Sequence, residues 1–367
     1  MTNQETGKNK ATTQHEIHWG DAVNMSALKA ESIDLMVTSP PYPMIQMWDE
    51  IFAEQDSSVK EALEKEDGPA SFEAMHQILD KIWAEVYRVL KVGGVACINI
   101  GDATRTINKH FRLYSNHARI LQYCISFGFS NLPTILWRKQ TNAPNKFMGS
   151  GMLPPGAYVT LEHEYILILR KGNKRNFKSV AEKQNRSESA YFWEERNIWF
   201  SDIWDLKGVK QKLTSQKTRG RSAAYPFELA YRLVNMFSAK GDTVLDPFLG
   251  TATTTLAALA SKRNSVGYEI DPLLEETITE QILDSNLPTS CHDYLQKRIL
   301  QHLDFVEKRK ALKGEKAFKY ESLNYGFPVI TRQEVKILFE ELKAVKSSAS
   351  LENGIAFEAE HEAFSLE

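Results

Sequence analysis

The sequence predicts an α/β fold, and three observations carry that expectation. Apolar runs of strand length alternate with amphipathic stretches of helical period. The run Ile33-Asp34-Leu35-Met36-Val37 opens directly onto the stiff loop Thr38-Ser39-Pro40-Pro41-Tyr42. A second run, Val244-Leu245-Asp246, opens onto Pro247-Phe248-Leu249-Gly250-Thr251, a glycine turn that leads into an Ala-rich helix.

Taken in order, the first sixteen residues are polar and are expected to be a flexible terminus. The run from Ile33 to Val37 reads as a buried strand. After it, Pro40 and Pro41 fix φ and push the residue before each out of the helical region, so the chain leaves the strand extended. Neither proline has an N–H to donate, which leaves carbonyls, the Ser39 hydroxyl and the Tyr42 ring as the functional groups of the loop. That set suits a planar base bearing an exocyclic amine, although the pentapeptide alone reads equally as a proline turn at a strand end. Residues 43–69 combine Met44, Ile45, Met47, Trp48, Ile51 and Phe52 with later acids, and are expected to border the base pocket and to order when DNA binds.

Phe72, Met75, Leu79, Ile82, Val86 and Leu90 recur at helical spacing, predicting an amphipathic helix over 71–90 that Gly93-Gly94 ends. Val95 to Ile100 reads as a strand, Leu113 to Phe127 as a helix stopped by Gly128, and Ile135 to Arg138 and Tyr165 to Leu169 as further strands. Phe227 to Phe237 is a helix ahead of the strand at 244. Ser265 to Tyr268 forms the next strand and ends in Glu269-Ile270-Asp271. An acid about 20 positions past a glycine turn is the spacing by which a nucleoside-binding βαβ unit holds ribose hydroxyls. A phosphate-cradling loop is the competing reading, but no Lys follows Gly250 and the turn holds a single glycine. After Pro272 the pattern is charged and helical through Leu342, and from Ser347 the chain has five Glu with no Lys or Arg, which reads as a disordered acidic tail.

Composition sets the limits. A chain of 367 residues with 42% apolar content can bury a full α/β core. No run is long and apolar enough for a membrane span or signal peptide, so a soluble, intracellular protein is expected. Cys97, Cys124 and Cys291 are widely spaced and odd in number, against a disulfide framework or a zinc site. The net charge of −2 is not that of a dedicated nucleic-acid binder, so any cationic surface must be local. Between Arg170 and Arg221 there are 14 Lys or Arg against 6 Asp or Glu, interleaved with Phe177, Tyr191, Phe192, Trp193, Trp199, Phe200 and Trp204. This is either a phosphate-contacting, base-reading surface or a solvated basic insert whose aromatics are core.

The two strand-and-loop units together resemble the amino-methyltransferases of DNA. The likeness extends to His18-Trp19-Gly20-Asp21-Ala22, to Arg88-Val89-Leu90-Lys91-Val92-Gly93-Gly94 with Val92 in place of the usual Pro, to Trp137-Arg138-Lys139, to His163-Glu164-Tyr165-Ile166-Leu167, and to Ala224-Tyr225-Pro226-Phe227-Glu228-Leu229-Ala230, which lacks the usual His-Pro opening. The proline loop precedes the glycine turn, an order that resembles the permuted β class of the family.

The resemblance implies a Rossmann-like sheet with a circularly permuted motif order, a small target-recognition insert and a helical C-terminal extension. Its expected divisions are a flexible 1–16, a catalytic half 17–170, target recognition 171–222, a cofactor-binding half 223–285, a helical extension 286–346 and the acidic tail 347–367. The implied cofactor is S-adenosyl-L-methionine, held by Asp21 at the adenine, Glu269 at the ribose, and Asp246, Phe248, Gly250, Thr251 and Thr38 around the methionine and sugar. Ser39, Pro40, Pro41 and Tyr42 are the implied catalytic residues. Lys207, Lys210, Lys212, Lys217, Arg219 and Arg221 are the candidate contacts to double-stranded DNA.

In the family a serine opening the motif is common among cytosine N4 enzymes, while Asp or Asn is common among adenine N6 enzymes, so cytosine N4 is expected and adenine N6 is the alternative. Carbon-5 chemistry would need a cysteine nucleophile, and none lies near a Pro-Cys loop. An inactive methyltransferase fold serving as a DNA-binding subunit, or an enzyme acting on RNA, stays open. A cytoplasmic, nucleoid-associated location and a paired restriction endonuclease are what the resemblance further implies.

Overall fold

The computed structural model describes residues 11–139, 148–208 and 225–366. Ten strands of one sheet organise them: β1 (Ala11–Trp19), β2 (Ile33–Thr38), β3 (Leu90–Ile100), β4 (Phe129–Lys139), β5 (His163–Lys171), β6 (Ile203–Leu206), β7 (Thr243–Asp246), β8 (Asn264–Glu269), β9 (Glu340–Leu351) and β10 (Gly354–Ala363). They lie in the order β6-β4-β5-β3-β2-β7-β8-β1-β10-β9. The central strands β3, β2, β7, β8 and β1 are mutually parallel, and β5 runs antiparallel between β3 and β4.

A central parallel strand is covered on both faces, which is why all six residues of β2 are buried although the run contains Asp34. Alternate residues face opposite ways. Met36 joins the core on one side, with α3 (Gly68–Val89) and α4 (Asn116–Phe127), and so does Ile33, because the register shift between Ile33 and Leu35 interrupts the alternation there. Leu35 and Val37 join the other, with α7 (Phe227–Phe237) and α8 (Thr253–Ala260). The α3 helix starts where Asp67 accepts a hydrogen bond from the Ala70 N–H at 3.0 Å and Pro69 occupies the first turn, and it turns Met75, Ile78, Leu79, Ile82, Trp83 and Val86 inward. It ends at Val89, and β3 begins at the next residue, so Gly93-Gly94 lies within a strand and does not terminate the helix. Gly93 has φ of 90°, and a Cβ there would stand 2.6 Å from the Arg175 backbone nitrogen.

Both chain ends depart from expectation. Residues 11–16 belong to β1, paired with β8 on one side and β10 on the other, so only residues 1–10 of the expected flexible terminus fall outside the described structure. The helical character of the C-terminal region is confined to α9 (Glu275–Ile282), α10 (Leu287–Lys313) and short 3-10 turns. The acidic tail is the hairpin β9–β10, which extends the sheet beyond β1. Its composition hides an alternation of period two. Phe357, Ala359 and His361 are buried between strands, while Lys346 of β9 pairs across to Glu358 at 2.8 Å on the outer face. Asn353-Gly354, at the turn, is a short-range hairpin signal that the charge count obscured.

The basic aromatic segment also packs down. It contributes α5 (Val180–Glu188), α6 (Trp193–Trp199) and the edge strand β6, and Phe192, Trp199 and Trp204 are core. The residues of that segment after Gly208 lie outside the described structure, as do the candidate DNA contacts Lys210, Lys212, Lys217, Arg219 and Arg221. Among the described residues no helix is long and apolar enough to cross a membrane.

If the terminal hairpin is part of the fold, truncating its fully buried Phe357 to Ala should cost about 3–5 kcal/mol of stability. Urea unfolding checks this; a disordered tail would leave the midpoint unmoved.

Candidate active site

Parallel strands deliver their following loops to one edge of the sheet, and the carboxyl ends of β1, β2, β7 and β8 do so side by side. A cleft opens there. Ser39, Pro40 and Pro41 form part of its wall, facing Phe248, Gly250 and Thr251 from the loop after β7. Asp21 and Glu269 close it from the ends of β1 and β8. Trp48, Ile51, Phe52 and Gln55, around α1 (Asp49–Gln55), add an apolar side, as does α3 through Ile78, Leu79 and Ile82. The first half of the 43–69 stretch thus reaches the cleft through these four residues, and Arg105 holds the start of α1 through paired bonds of 2.7 and 2.6 Å to Asp49.

The glycine loop is held from below. Gly250 has φ of 55° and Ala252 φ of 63°, so the backbone curls tightly before α8 begins at Thr253. The Gly250 N–H donates to Glu269 Oε2 at 2.7 Å, and the Leu249 N–H donates to the Tyr268 carbonyl at 2.9 Å. Leu249 lies against Gly267, where a Cβ would come within 2.6 Å of its side chain. Glu269 also accepts the Asp271 N–H at 2.9 Å through Oε1. Burial nevertheless dominates and pushes its carboxyl up to about 7, the two backbone donors and the neighbouring acids modifying that only in part. At the cleft's other end Asp21 accepts the Val23 N–H at 2.9 Å and the Gln55 side-chain amide at 3.2 Å.

Asp246 and Thr38, expected at the cofactor, do not line the cleft. Thr38 Oγ1 donates to Asp246 Oδ1 at 2.5 Å, joining the ends of β2 and β7. The Phe248 N–H donates to the same oxygen at 3.1 Å, while Thr254 Oγ1 at 2.6 Å and the Tyr225 hydroxyl at 3.2 Å donate to Oδ2. The carboxylate thus takes four protein donors, which fasten the ends of β2 and β7 together behind the cleft. Burial raises its pKa, and the hydrogen bonds oppose that.

Tyr42 also stands apart from the cleft lining, with its hydroxyl in a polar cluster behind Ser39. It donates to Glu164 Oε2 at 2.9 Å and lies 3.0 Å from Ser39 Oγ. The Asn99 amide nitrogen donates to Tyr42 Oη at 2.8 Å and to Glu164 Oε2 at 2.7 Å, and lies 3.4 Å from Ser39 Oγ. Lys139 closes an ion pair on Glu164 Oε1. Burial, and then the Glu164 charge, hold the Tyr42 phenol well above its ordinary range, so it keeps its proton.

Asn99 is a site residue that sequence reasoning missed, and Lys139, Glu164 and Tyr225 lay in segments that carry the resemblance without having been given a role. A polar Asn inside the apolar strand Val95–Ile100 was one available signal; Lys139 and Glu164 acquire their role when β3, β4 and β5 are laid side by side, and Tyr225, ahead of α7, acquires its own through Asp246. Lys207 is exposed where β6 ends beside Lys139, on the same edge of the sheet as Ser39.

Comparison with known proteins bears directly on this geometry. The N6/N4 family model, described as DNA methylase, matches residues 33–280. The chain is 53% identical to the type II methyltransferase M.MthZI of Methanothermobacter thermautotrophicus over 89% of its own length and 90% of that protein's. It is 52% identical to the type II methyltransferase M.MjaI of Methanocaldococcus jannaschii, over 74% and 92% of the respective lengths. Among solved structures, TTHA0409 of Thermus thermophilus in complex with S-adenosyl-L-methionine is 32% identical and superposes with a TM-score of 0.56, covering 73% of this chain and 94% of that one. The PvuII DNA methyltransferase shares the fold at a TM-score of 0.51 and 18% identity, covering 80% of this chain and 95% of its own. A family model spanning most of the chain, relatives above half identity and a fold shared with a cofactor complex lead to one conclusion: the chain belongs to the N6/N4 DNA methylases and is an S-adenosylmethionine-dependent DNA methyltransferase.

Proposed function

We propose that the chain methylates the exocyclic N4 amine of a cytosine flipped out of duplex DNA, as the modification enzyme of a restriction–modification system with a paired endonuclease. The observation that carries this reading is Ser39. Ser39 lies in the wall of the cleft opposite the glycine loop, with the carbonyl-bearing Pro40 beside it. The family pattern associates a serine at that position with cytosine. The names of the two relatives above half identity, both type II methyltransferases, support the restriction–modification setting.

The cleft suits the cofactor on its own terms. Glu269 is a buried carboxylate in the cleft wall whose desolvation two backbone N–H groups only partly offset, and a vicinal diol would complete its shell. Asp21 would meet the adenine, while Phe248, Gly250 and Thr251 would border the sugar and methionine. S-adenosylmethionine supplies the electrophilic methyl group. The amine of cytosine shares its lone pair with the ring and is a weak nucleophile; Ser39 Oγ and the Pro40 carbonyl would accept its two protons and free the lone pair. Lys207, with Lys210, Lys212, Lys217, Arg219 and Arg221, would neutralise phosphates. Extrusion of the base costs a few kcal/mol, which stacking against the proline-tyrosine loop would offset in part.

Labelled cofactor and mixed-sequence DNA, digested to nucleosides and resolved by mass, should give N4-methylcytosine; N6-methyladenine would move the assignment to adenine, and absence of label would favour an inactive fold. Ser39→Ala should lower single-turnover methylation by about 10²–10³-fold with cofactor affinity nearly unchanged.

The raised Glu269 pKa fixes a sign for pH dependence. Below about 7 the free protein holds the carboxyl protonated, whereas two ribose hydroxyls donate best to the carboxylate. The dissociation constant for S-adenosylmethionine should therefore be flat above that pH and rise towards tenfold per unit below it. Titration calorimetry checks this, and Glu269→Gln should bind more weakly with the pH dependence gone.

A further inference from the structure

A serine hydroxyl is ambivalent. It can accept a proton from an amine or donate its own to a ring nitrogen or a carbonyl, so its position in a cleft wall does not decide what it selects. The groups behind Ser39 do decide it. At the far end of the cluster Glu164 is acceptor-only when ionised, and Lys139, paired with its Oε1, is donor-only. Glu164 Oε2 also fixes the Asn99 amide. The amide nitrogen lies 2.7 Å away; turned over, it would set an amide oxygen against a carboxylate oxygen at that distance. The same nitrogen donates to Tyr42 Oη at 2.8 Å, so Asn99 spends both its protons on Tyr42 and Glu164.

Directions now propagate towards the cleft. Tyr42 receives the Asn99 proton and gives its own to Glu164 at 2.9 Å. With that proton committed, Tyr42 can only accept at its contact with Ser39, 3.0 Å away. The Ser39 proton therefore points back at Tyr42; the long 3.4 Å contact from the Asn99 amide engages at most one Ser39 lone pair, and the other is left for the cleft. Tyr42 has no freedom to swing out of this arrangement, because its ring is packed on Gly101, where a Cβ would come within 2.9 Å of Cε2.

We propose that Glu164 is a positioning residue that acts through Tyr42 and Asn99 to hold Ser39 as a hydrogen-bond acceptor, so that the site selects a base bearing an exocyclic amine and rejects its deaminated counterpart. This rests on the assignment of Ser39 to the target amine. Glu164 does not touch the base. It determines which way a neutral hydroxyl two links away is turned. Lys139 contributes by holding one oxygen of Glu164, so that the other remains directed at Tyr42 and Asn99.

Glu164→Gln tests the idea with little change of shape. Lys139 would draw the new amide oxygen, turning its NH2 towards Tyr42. The same NH2 would meet the Asn99 nitrogen, so the Asn99 amide would turn its oxygen towards it; Tyr42, no longer committed to a carboxylate, could then donate to Ser39, and Ser39 would be free to donate into the cleft. Once the methylated position is mapped, duplexes carrying either the native target or its deaminated form, uracil for cytosine or hypoxanthine for adenine, are compared for binding without cofactor. The wild-type protein should prefer the amino form by about tenfold or more. In Glu164→Gln the preference should vanish or invert, and single-turnover methylation should fall by about 10²-fold with S-adenosylmethionine affinity within about twofold of wild type. Tyr42→Phe, which cuts the same link, should lose the preference too, and the double variant should be no worse than the more impaired single one. Retention of the amino preference in Glu164→Gln and in Tyr42→Phe, or additive losses in the double variant, would overturn the proposal. Ser39→Ala separates the layers: if it methylates as wild type does, the assignment of Ser39 to the amine has failed; if it is impaired while both other variants keep their selectivity, only the role of Glu164 has failed.

Discussion

The buried carboxylate of Asp246 is the point on which the site depends. It sits at the carboxyl end of β7 and takes hydrogen bonds from Thr38 at the end of β2, from the Phe248 N–H within the glycine loop, from Thr254 in the first turn of α8, and from Tyr225 ahead of α7. Burial alone would favour its neutral form, and these four donors are what a charge needs to remain there. Because β2 and β7 are parallel neighbours, one acid fastens the two loops that form facing walls of the cleft. Thr38 and Asp246 are 208 positions apart in sequence, yet the sheet makes them adjacent. The order in which a chain visits its strands is immaterial to a site assembled at the carboxyl ends of parallel neighbours, so a permuted motif order builds the same cleft.

That constraint also separates two kinds of acid within one site. Asp246 is saturated and serves as a fastening, whereas Glu269 is buried with only backbone partners at its two oxygens and remains short of donors. Both are acids at strand ends, and a sequence pattern treats them alike. What differs is the number of hydroxyls around them, which follows from whether helix α8 lies over the strand end with Thr254 facing inward.

Sequence revealed what depends on local periodicity. The β2 run, the α3 stripe and the helix Phe227–Phe237 each repeat a pattern within one element, and each is found where that pattern puts it. The divisions at the chain ends failed because composition was weighed above alternation. The acids of Gly354–Ala363 occupy one face of a strand whose other face holds Phe357, Ala359 and His361, and an acid count cannot see a face. Ser39, Phe248, Gly250, Thr251 and Glu269 were legible as cleft residues because each sits at the end of a legible strand, whereas Asp21, after the unforeseen β1, was carried by the resemblance alone. Asn99 was passed over as one residue of an apolar strand, although the parallel pairing of β3 with β2 sets it beside Ser39; Lys139 and Glu164 lay in segments that carry the resemblance but had no role there, and the antiparallel β5 between β3 and β4 gives them one. The aromatics of the basic segment were ambiguous in sequence; Phe192, Trp199 and Trp204 turn out to anchor it to the sheet.

The antiparallel β5 has a chemical consequence. An Asp side chain at the position of Ser39 would bring its own acceptor oxygens, and an Asn would bring one by rotation of its amide; either would need little from behind. A serine brings an oxygen whose role depends on where its proton goes. Glu164 enters on β5, whose register places it opposite Trp137 and one residue from the pairing of Tyr165 with Ile100, hence beside the end of the strand that carries Asn99. A strand running the other way delivers the side chain at its beginning, Glu164, to the edge where the parallel strands deliver theirs at the end. The acid that a serine requires can therefore be supplied from outside the proline loop, and the loop itself can stay as short and as stiff as two consecutive prolines make it.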